Sequence, residues 1–425
     1  MGESIDEPHR SHHPPGRLTA KTRGPIARSA SLGVPLGYDV ARAPLDPQQD
    51  AHRSRFDRVG RAALRRSVQL RPLRVHPVTA RSLVLPHIRR IAGYVPGEQP
   101  RDRGYIKLNT NENPYPPSPR VLEAIRAAAT ADLRLYPDPL ATELRAKAAV
   151  VYGFSPDFVL AGNGSDELLA IVLRSCAGPG DRVVYPTPTY SLYDTLVAVQ
   201  GATTVGVPFA DDFRLPVERL GEQGQVLTII CNPNAPSGTL APIAAIEELA
   251  RSVRGLVVVD EAYVDFASDS ALPLVRRYEN VLVLRTFSKS FSLCGMRVGL
   301  AFGHPDLLAE LAKVKDSYNI GRLGLAAAAA ALDDRAVMEA NAARVRSTRA
   351  ALTDALRDLG FHVLPSETNF VLARRPGENL APLQRTLKDK GVLVRYFDVP
   401  GLRDALRISV GTPDEVQALI AAIRP

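Results

Sequence analysis

The sequence predicts an α/β protein: a large domain with a mostly parallel sheet flanked by helices, plus a smaller α+β C-terminal domain. Three observations predict it. Short apolar runs bounded by Gly, Pro and Asn clusters recur between about residues 158 and 302. Amphipathic stretches of helical length separate them. After Asn319 the order changes to a long helical region and then a few strands and helices. A chain of 425 residues is long enough for more than one domain.

The elements follow in order. Residues 1–82 hold 15 Lys/Arg against 7 Asp/Glu, the whole of the chain's +8 excess, because residues 83–425 hold 38 of each. Prolines interrupt this stretch and sustained apolar periodicity is missing. It is expected to be a basic, Pro-rich, mostly disordered extension. It lacks the apolar centre of a secretory signal, and Glu3, Asp6 and Glu7 count against a transit peptide. Residues 53–66 read as a short basic amphipathic helix. A solvated tail or an upstream start codon is favoured over a binding role.

Residues 83–118, LVLPHIRRIAGYVPG and then IKLNTNENPYPPSP, read as an extended arm. Pro119 opens a helix, RVLEAIRAAA, and a large domain over 119–320. Its strand candidates are FVLA (158–161), RVVYP (182–186), TTVGVPF (203–209), VLTIIC (226–231), LVVVD (256–260), VLVLRTF (281–287) and VGLAF (298–302). Helices are expected over 166–176, 190–200 and 243–253. Most of these strands are apolar throughout, which suits a parallel sheet covered on both faces. Residues 321–425 form the smaller domain: a helical region (325–359), then FHVLPSETNFVLARR, a helix, GVLVRYF, LRISVGT and a terminal helix. No apolar run approaches the length of a membrane span. Cys176, Cys231 and Cys294 form no CxxC pair, which argues against a zinc site or a disulfide framework and fits a reducing compartment, the cytoplasm.

In open parallel α/β sheets, ligands bind beyond the carboxyl ends of the strands. FVLA is followed by Gly162-Asn163-Gly164-Ser165-Asp166-Glu167 and a helix, an arrangement that offers free N–H groups to a phosphate. Alone it reads first as a capped helix start, with Ser165 as the cap. RVVYP leads to Thr189 and Tyr190. VLTIIC leads to Asn232-Pro233-Asn234-Ala235-Pro236-Ser237-Gly238, which is turn chemistry by composition. LVVVD ends in Asp260, whose carboxylate needs a partner if buried, with Tyr263 three residues on. VLVLRTF leads to Ser288 and Lys289, with Arg297 returning eight residues later as a phosphate fork. A lysine of depressed pKa forms a Schiff base with an aldehyde. An anion cradle, a ring-facing acid, a stacking tyrosine and that lysine together describe a site for pyridoxal 5′-phosphate.

NPNAPSG, VVVDEAYVDF and RTFSKSFSLCGMRVG resemble the motifs of the fold-type I, aspartate-aminotransferase-like enzymes. LNTNENPYPP, YPDP, GNGSDELL, ETNFVL, GVLVRYF and LRISVGT are similar to those of the histidinol-phosphate aminotransferase family. The resemblance covers about residues 83–425. It implies Lys289 as the lysine that joins the cofactor aldehyde, Asp260 at the ring nitrogen, Tyr263 at the ring oxygen and Tyr190 stacked on the ring. Gly164, Ser165, Asp166, Thr286, Ser288 and Arg297 would hold the phosphate. Tyr136 would reach the partner subunit's cofactor, which implies a homodimer with shared sites, the 83–118 arm packing against the small domain and that partner. Arg395 and Arg407 would face the substrate, with Asn113, Tyr318 and Asn369 lining its pocket. The family commonly has Asn where this chain has Ala235, and Asn234 or Asn232 is expected to replace it.

The implied reaction is ping-pong transamination between L-histidinol phosphate and 2-oxoglutarate, with no metal, membrane or nucleic acid involved. An aromatic or broad-range aminotransferase is the nearest rival, and a phosphate-substrate decarboxylase of the same fold the next. The basic tail raises a third, an aminotransferase-like transcription regulator, but it lacks a helix-turn-helix pattern.

Overall fold

The computed structural model describes residues 79–100 and 104–424. The extension expected over 1–82, up to residue 78, and the basic helix expected over 53–66 lie outside the described residues.

The chain enters a small sheet first. The strand β1 (Ile106–Leu108) lies within the arm, and Ser118 then caps α1 (Pro119–Ala128) by accepting the Arg120 N–H, with proline at the first helical position. The helix α2 (Thr142–Tyr152) stops at Gly153, whose φ of 72° is left-handed. Next come β2 (Val159–Gly162), α3 (Gly164–Cys176), β3 (Arg182–Thr187), α4 (Leu192–Val199), β4 (Thr203–Pro208), α5 (Val217–Gly221) and β5 (Leu227–Cys231). They continue as α6 (Ile243–Ser252), β6 (Leu256–Asp260), β7 (Val281–Thr286), β8 (Gly299–Phe302) and α7 (Pro305–Ala312).

Strands β2 to β8 form one seven-stranded sheet in the order β2-β8-β7-β6-β5-β3-β4. The five from β4 to β7 are parallel; β8 runs antiparallel to both of its neighbours. Every residue of β5, β6 and β2 is buried, as strands covered on both faces must be. By contrast β4 is an edge strand and mostly exposed. The expected strands and helices each have a counterpart here, with ends shifted by a residue or two.

The expected helical region 325–359 is two helices, α8 (Arg322–Asp333) and α9 (Arg335–Asp358). The break is Asp334, whose backbone leaves the helical region (φ −120°, ψ 41°) and whose carboxylate accepts the Ser118 hydroxyl. A tertiary hydrogen bond therefore interrupts a periodicity that runs straight through in the sequence. The chain closes with β9 (His362–Val363), β10 (Phe370–Arg374), α10 (Ala381–Asp389), β11 (Val392–Tyr396), β12 (Ala405–Ser409) and α11 (Pro413–Ile423). The second sheet runs β1-β11-β12-β10-β9, so the arm supplies an edge strand, parallel to β11, to a sheet otherwise built from the C-terminal region. Reciprocal bonds between Thr412 and Glu415 cap α11.

Candidate active site

The carboxyl ends of β3, β5, β6 and β7 meet the β1 end and the β11–β12 pair around one cavity of about 630 Å³. Two smaller hollows, of about 310 and 450 Å³, contain none of the expected site residues.

Lys289 and Asp260 line the same cavity. Asp260 ends a strand of valines and is 3% exposed. Its carboxylate accepts the Tyr193 hydroxyl at 2.7 Å and the Ala262 N–H at 3.2 Å. Burial pushes its pKa up to about 6, against the pull of Tyr193 and Lys289. Lys289 is half-buried, and loss of solvent around its amine first, then the nearby Arg407 charge, hold its ammonium below the usual lysine range. Its Nζ donates to the Thr110 carbonyl at 3.5 Å and lies 5.6 Å from the centre of the Tyr263 ring. An amine held towards its neutral form is a nucleophile and a base.

The anion cradle has three walls. Gly164 opens α3 at φ 81°, and a Cβ there would come within 2.7 Å of the Arg297 guanidinium. Arg297 reaches Asp166 at 3.1 Å and donates to the Ser288 hydroxyl at 3.3 Å. Thr286 donates to Ser288 at 3.0 Å, and Ser165 lines the same hollow. Gly299 is required nearby, because a Cβ on it would strike the Gly164 and Ser165 backbone at 2.7 Å. The start of α3, two hydroxyls and a guanidinium make a donor set for a small anion.

Tyr190 lines the cavity, donates to Asp166 at 3.4 Å, and packs edge-on against Tyr94 and Tyr193. Tyr263 is 8% exposed, and burial raises its hydroxyl to about 12. Arg395 and Arg407 also line the cavity and sit directly opposite each other on the antiparallel β11–β12 pair. Like charges at such positions repel, so an anion between them is favoured. Arg407 Nη2 donates to the Asn109 carbonyl at 3.0 Å, while its buried Nε has no partner.

Seven expected residues are not among those lining the cavity. Asn234 ties its turn to the loop after β3: its amide donates to the Ser237 hydroxyl within the turn and to the Pro188 carbonyl, and accepts from Thr189. Asn232 pairs with the Ala241 backbone in both directions. Both amides are thus engaged within the protein, and neither is among the residues that line the cavity. Asn113 holds the carbonyls of Lys289 and Ser290, and Asn369 those of Asn111 and Glu112. Both brace backbone next to the cavity. Tyr136 is 77% exposed and stacked on Tyr318 at 4.3 Å. Gly164 lies behind the cradle, against Arg297.

Sequence reasoning missed Tyr193, Tyr94 and Asn111. Tyr193 was legible, three residues after Tyr190 and so on the same face of a helical turn. Asn111 follows a strand end just as the chosen residues do, but β1 belongs to the other sheet.

Residues 103–423 match the family described as aminotransferase class I and II. The chain is 47% identical over 339 residues to histidinol-phosphate aminotransferase 1 of Trichormus variabilis, covering 80% of this chain and 97% of that protein. It is 46% identical over 342 residues to the histidinol-phosphate aminotransferase of Citrifermentans bemidjiense, at 80% and 97% coverage. Among solved structures, the Sinorhizobium meliloti histidinol-phosphate aminotransferase in complex with pyridoxal-5′-phosphate superposes with a TM-score of 0.75 at 30% identity. The match covers 82% of this chain and 97% of that one. The Clostridium acetobutylicum histidinol-phosphate aminotransferase superposes with a TM-score of 0.70 at 20% identity, covering 75% and 97%, a likeness of fold.

Proposed function

This chain belongs to the class I and II aminotransferase family, and from that premise we propose that it transfers the amino group of L-histidinol phosphate to 2-oxoglutarate. The products are imidazole-acetol phosphate and L-glutamate, in histidine biosynthesis. The observation that carries the reading is a single cavity containing Lys289, Asp260, the Arg297 cradle and the Arg395–Arg407 pair.

The cofactor is pyridoxal 5′-phosphate, which when bound supplies an electron sink for the bond broken at the substrate's α carbon. The donor set fits it: a cradle that a Cβ at Gly164 would obstruct, and a buried acid in the same hollow. N–H groups of Gly164, Ser165 and Asp166, with Thr286, Ser288 and Arg297, would hold its phosphate. Asp260, ionised at pH 7, would face the ring nitrogen, Tyr190 the ring face and Tyr263 the ring oxygen. Lys289 Nζ takes the α-carbon proton of the amino donor in one half-reaction and returns one to the oxo acid's carbon in the other. Arg395 and Arg407 receive the donor's phosphate and then the carboxylate of 2-oxoglutarate, so two anions take turns at one cationic pair. The kinetics are ping-pong.

The enzyme works as a homodimer in the cytoplasm. Tyr136 supports sharing of sites: it stands outside its own cavity amid exposed Leu133, Leu135 and Leu140. Among the described residues no helix is long and apolar enough to cross a membrane. The test compares kcat/KM for histidinol phosphate, phenylalanine and O-phosphothreonine. Histidinol phosphate is expected to lead; a preference for phenylalanine would move the protein to the aromatic aminotransferases.

A further inference from the structure

Three consecutive residues leaving β1 each hold one group of the site. The Asn109 carbonyl accepts from Arg407, the Thr110 carbonyl accepts from Lys289, and Asn111 Nδ2 donates to the Tyr263 hydroxyl at 3.1 Å. Asn111 is 1% exposed and adopts a left-handed φ of 57°, which asparagine tolerates better than most side chains. The orientation of its amide follows from its neighbours. The Asn111 backbone N–H donates to Ser409 Oγ at 2.9 Å, which leaves the Ser409 proton for Asn111 Oδ1, 3.0 Å away. With Oδ1 committed to Ser409, the nitrogen faces Tyr263. A phenol carries one proton, and an oxygen already accepting from Asn111 must donate elsewhere. Tyr263 borders the cavity.

We propose that Ser409 and Asn111 form a one-way donor relay that aims the Tyr263 O–H into the cavity, at an accepting oxygen of the bound group. The inference rests on the reading above, in which that oxygen belongs to the pyridoxal ring. Both are positioning residues. The relay begins on β12, two residues beyond Arg407, so one strand carries both an anion-binding group and the control of the Tyr263 proton. The charged and titratable groups facing Tyr263 are Arg407 from β12, Asp260 from β6, Cys231 from β5, Lys289 after β7 and Tyr190 before α4.

The test is a pH titration of the visible absorbance of cofactor-loaded protein, with cofactor affinity of the stripped protein as a second readout. A donor at the ring oxygen favours its anionic form and lowers the titration midpoint. Tyr263→Phe sets the scale of the loss. Asn111→Asp offers Tyr263 an acceptor and turns its proton away. It is expected to raise the midpoint by about one pH unit and weaken cofactor affinity about tenfold. Ser409→Ala should move both the same way, and Ser409→Thr should titrate with wild type. The charge introduced by Asn111→Asp acts with or without the phenol, so the part of its shift that disappears in the Tyr263→Phe background measures the relay. An equal shift in both backgrounds overturns it. So does a lowered Tm with an unmoved midpoint in Asn111→Asp and Ser409→Ala, the mark of a merely structural role. A wild-type protein with no visible band, or a band that survives Lys289→Ala, overturns the cofactor reading as well.

Discussion

Asp260 shows what burial does to one group. Its carboxylate titrates near 6 in the folded protein and near 4 in an unfolded chain. Between those values the folded state binds the additional proton, so its stability falls as pH rises through the window. The contribution is present below about pH 4 and lost above about pH 6. Cofactor-free Asp260→Asn lacks this dependence. Urea melts of variant and wild type should therefore diverge by about 3 kcal/mol, in the variant's favour, between those two pH values and run parallel above. Curves that stay parallel throughout would contradict the burial argument. The same variant should lose transamination. Arg407 is the other residue whose setting matters, since its guanidinium lies over both Phe370 and Phe397. Arg407→Lys keeps the charge but loses the stacked plane and the fork, and is expected to raise KM for both substrates at least about tenfold. An unchanged KM would remove Arg407 from substrate binding.

At the scale of elements, the ends of β6 and β7 and the residues just after them divide between two sides. Asp260, Thr286, Ser288 and Lys289 face the cavity; Glu261, Arg285 and Ser290 face away from it. The outer set is ionic. Arg285 Nε lies 2.9 Å from Glu261, with its N–H aimed off the oxygen, and Nη1 donates to Asp265 at 3.2 Å. Asp265 accepts from Ser290, the neighbour of Lys289. The chain next to the acid is thereby tied to the chain next to the lysine. Arg285 and Glu261 are 11% and 0% exposed, so removing one partner leaves a buried charge uncompensated. Arg285→Met is expected to cost about 3–5 kcal/mol, and Glu261→Gln added to it should recover part of that loss. Thermal melts would show it; a further loss in the double variant would mean that the pair does not act as a unit. The start of α3 is a second such element. Gly164→Ala meets both a left-handed backbone and the Arg297 guanidinium, and should lose about 1 kcal/mol of stability together with cofactor affinity.

At the scale of the molecule, the cavity lies where two sheets of different origin meet. Asp260 and Lys289 come from the seven-stranded sheet, Arg395 and Arg407 from the five-stranded one, and residues 109–111 pass between them. In the proposed reaction, substrate anions and the chemistry would thus be held by separately built layers. The proposed sharing of Tyr136 predicts complementation. A mixture of Tyr136→Ala and Lys289→Ala proteins, unfolded together and refolded, should recover activity that neither has alone, because one site of each hybrid is intact. No recovery, with dimers present by sedimentation, would place Tyr136 outside the partner's site.

The sequence by itself determined the alternation of strands and helices, the residues at the strand ends and the cofactor chemistry they imply. These are local properties: apolar runs set the strands, and whatever follows a strand arrives at the rim. It was less informative about asparagines. Asn234 and Asn111 both follow strands, yet one amide is taken up by Ser237 and the loop after β3, while the other reaches Tyr263 across 152 residues. Which polar atoms remain free after the backbone is satisfied depends on contacts between distant segments. Only the tertiary structure decided that, as it decided the break at Asp334 and the facing of Arg395 on Arg407.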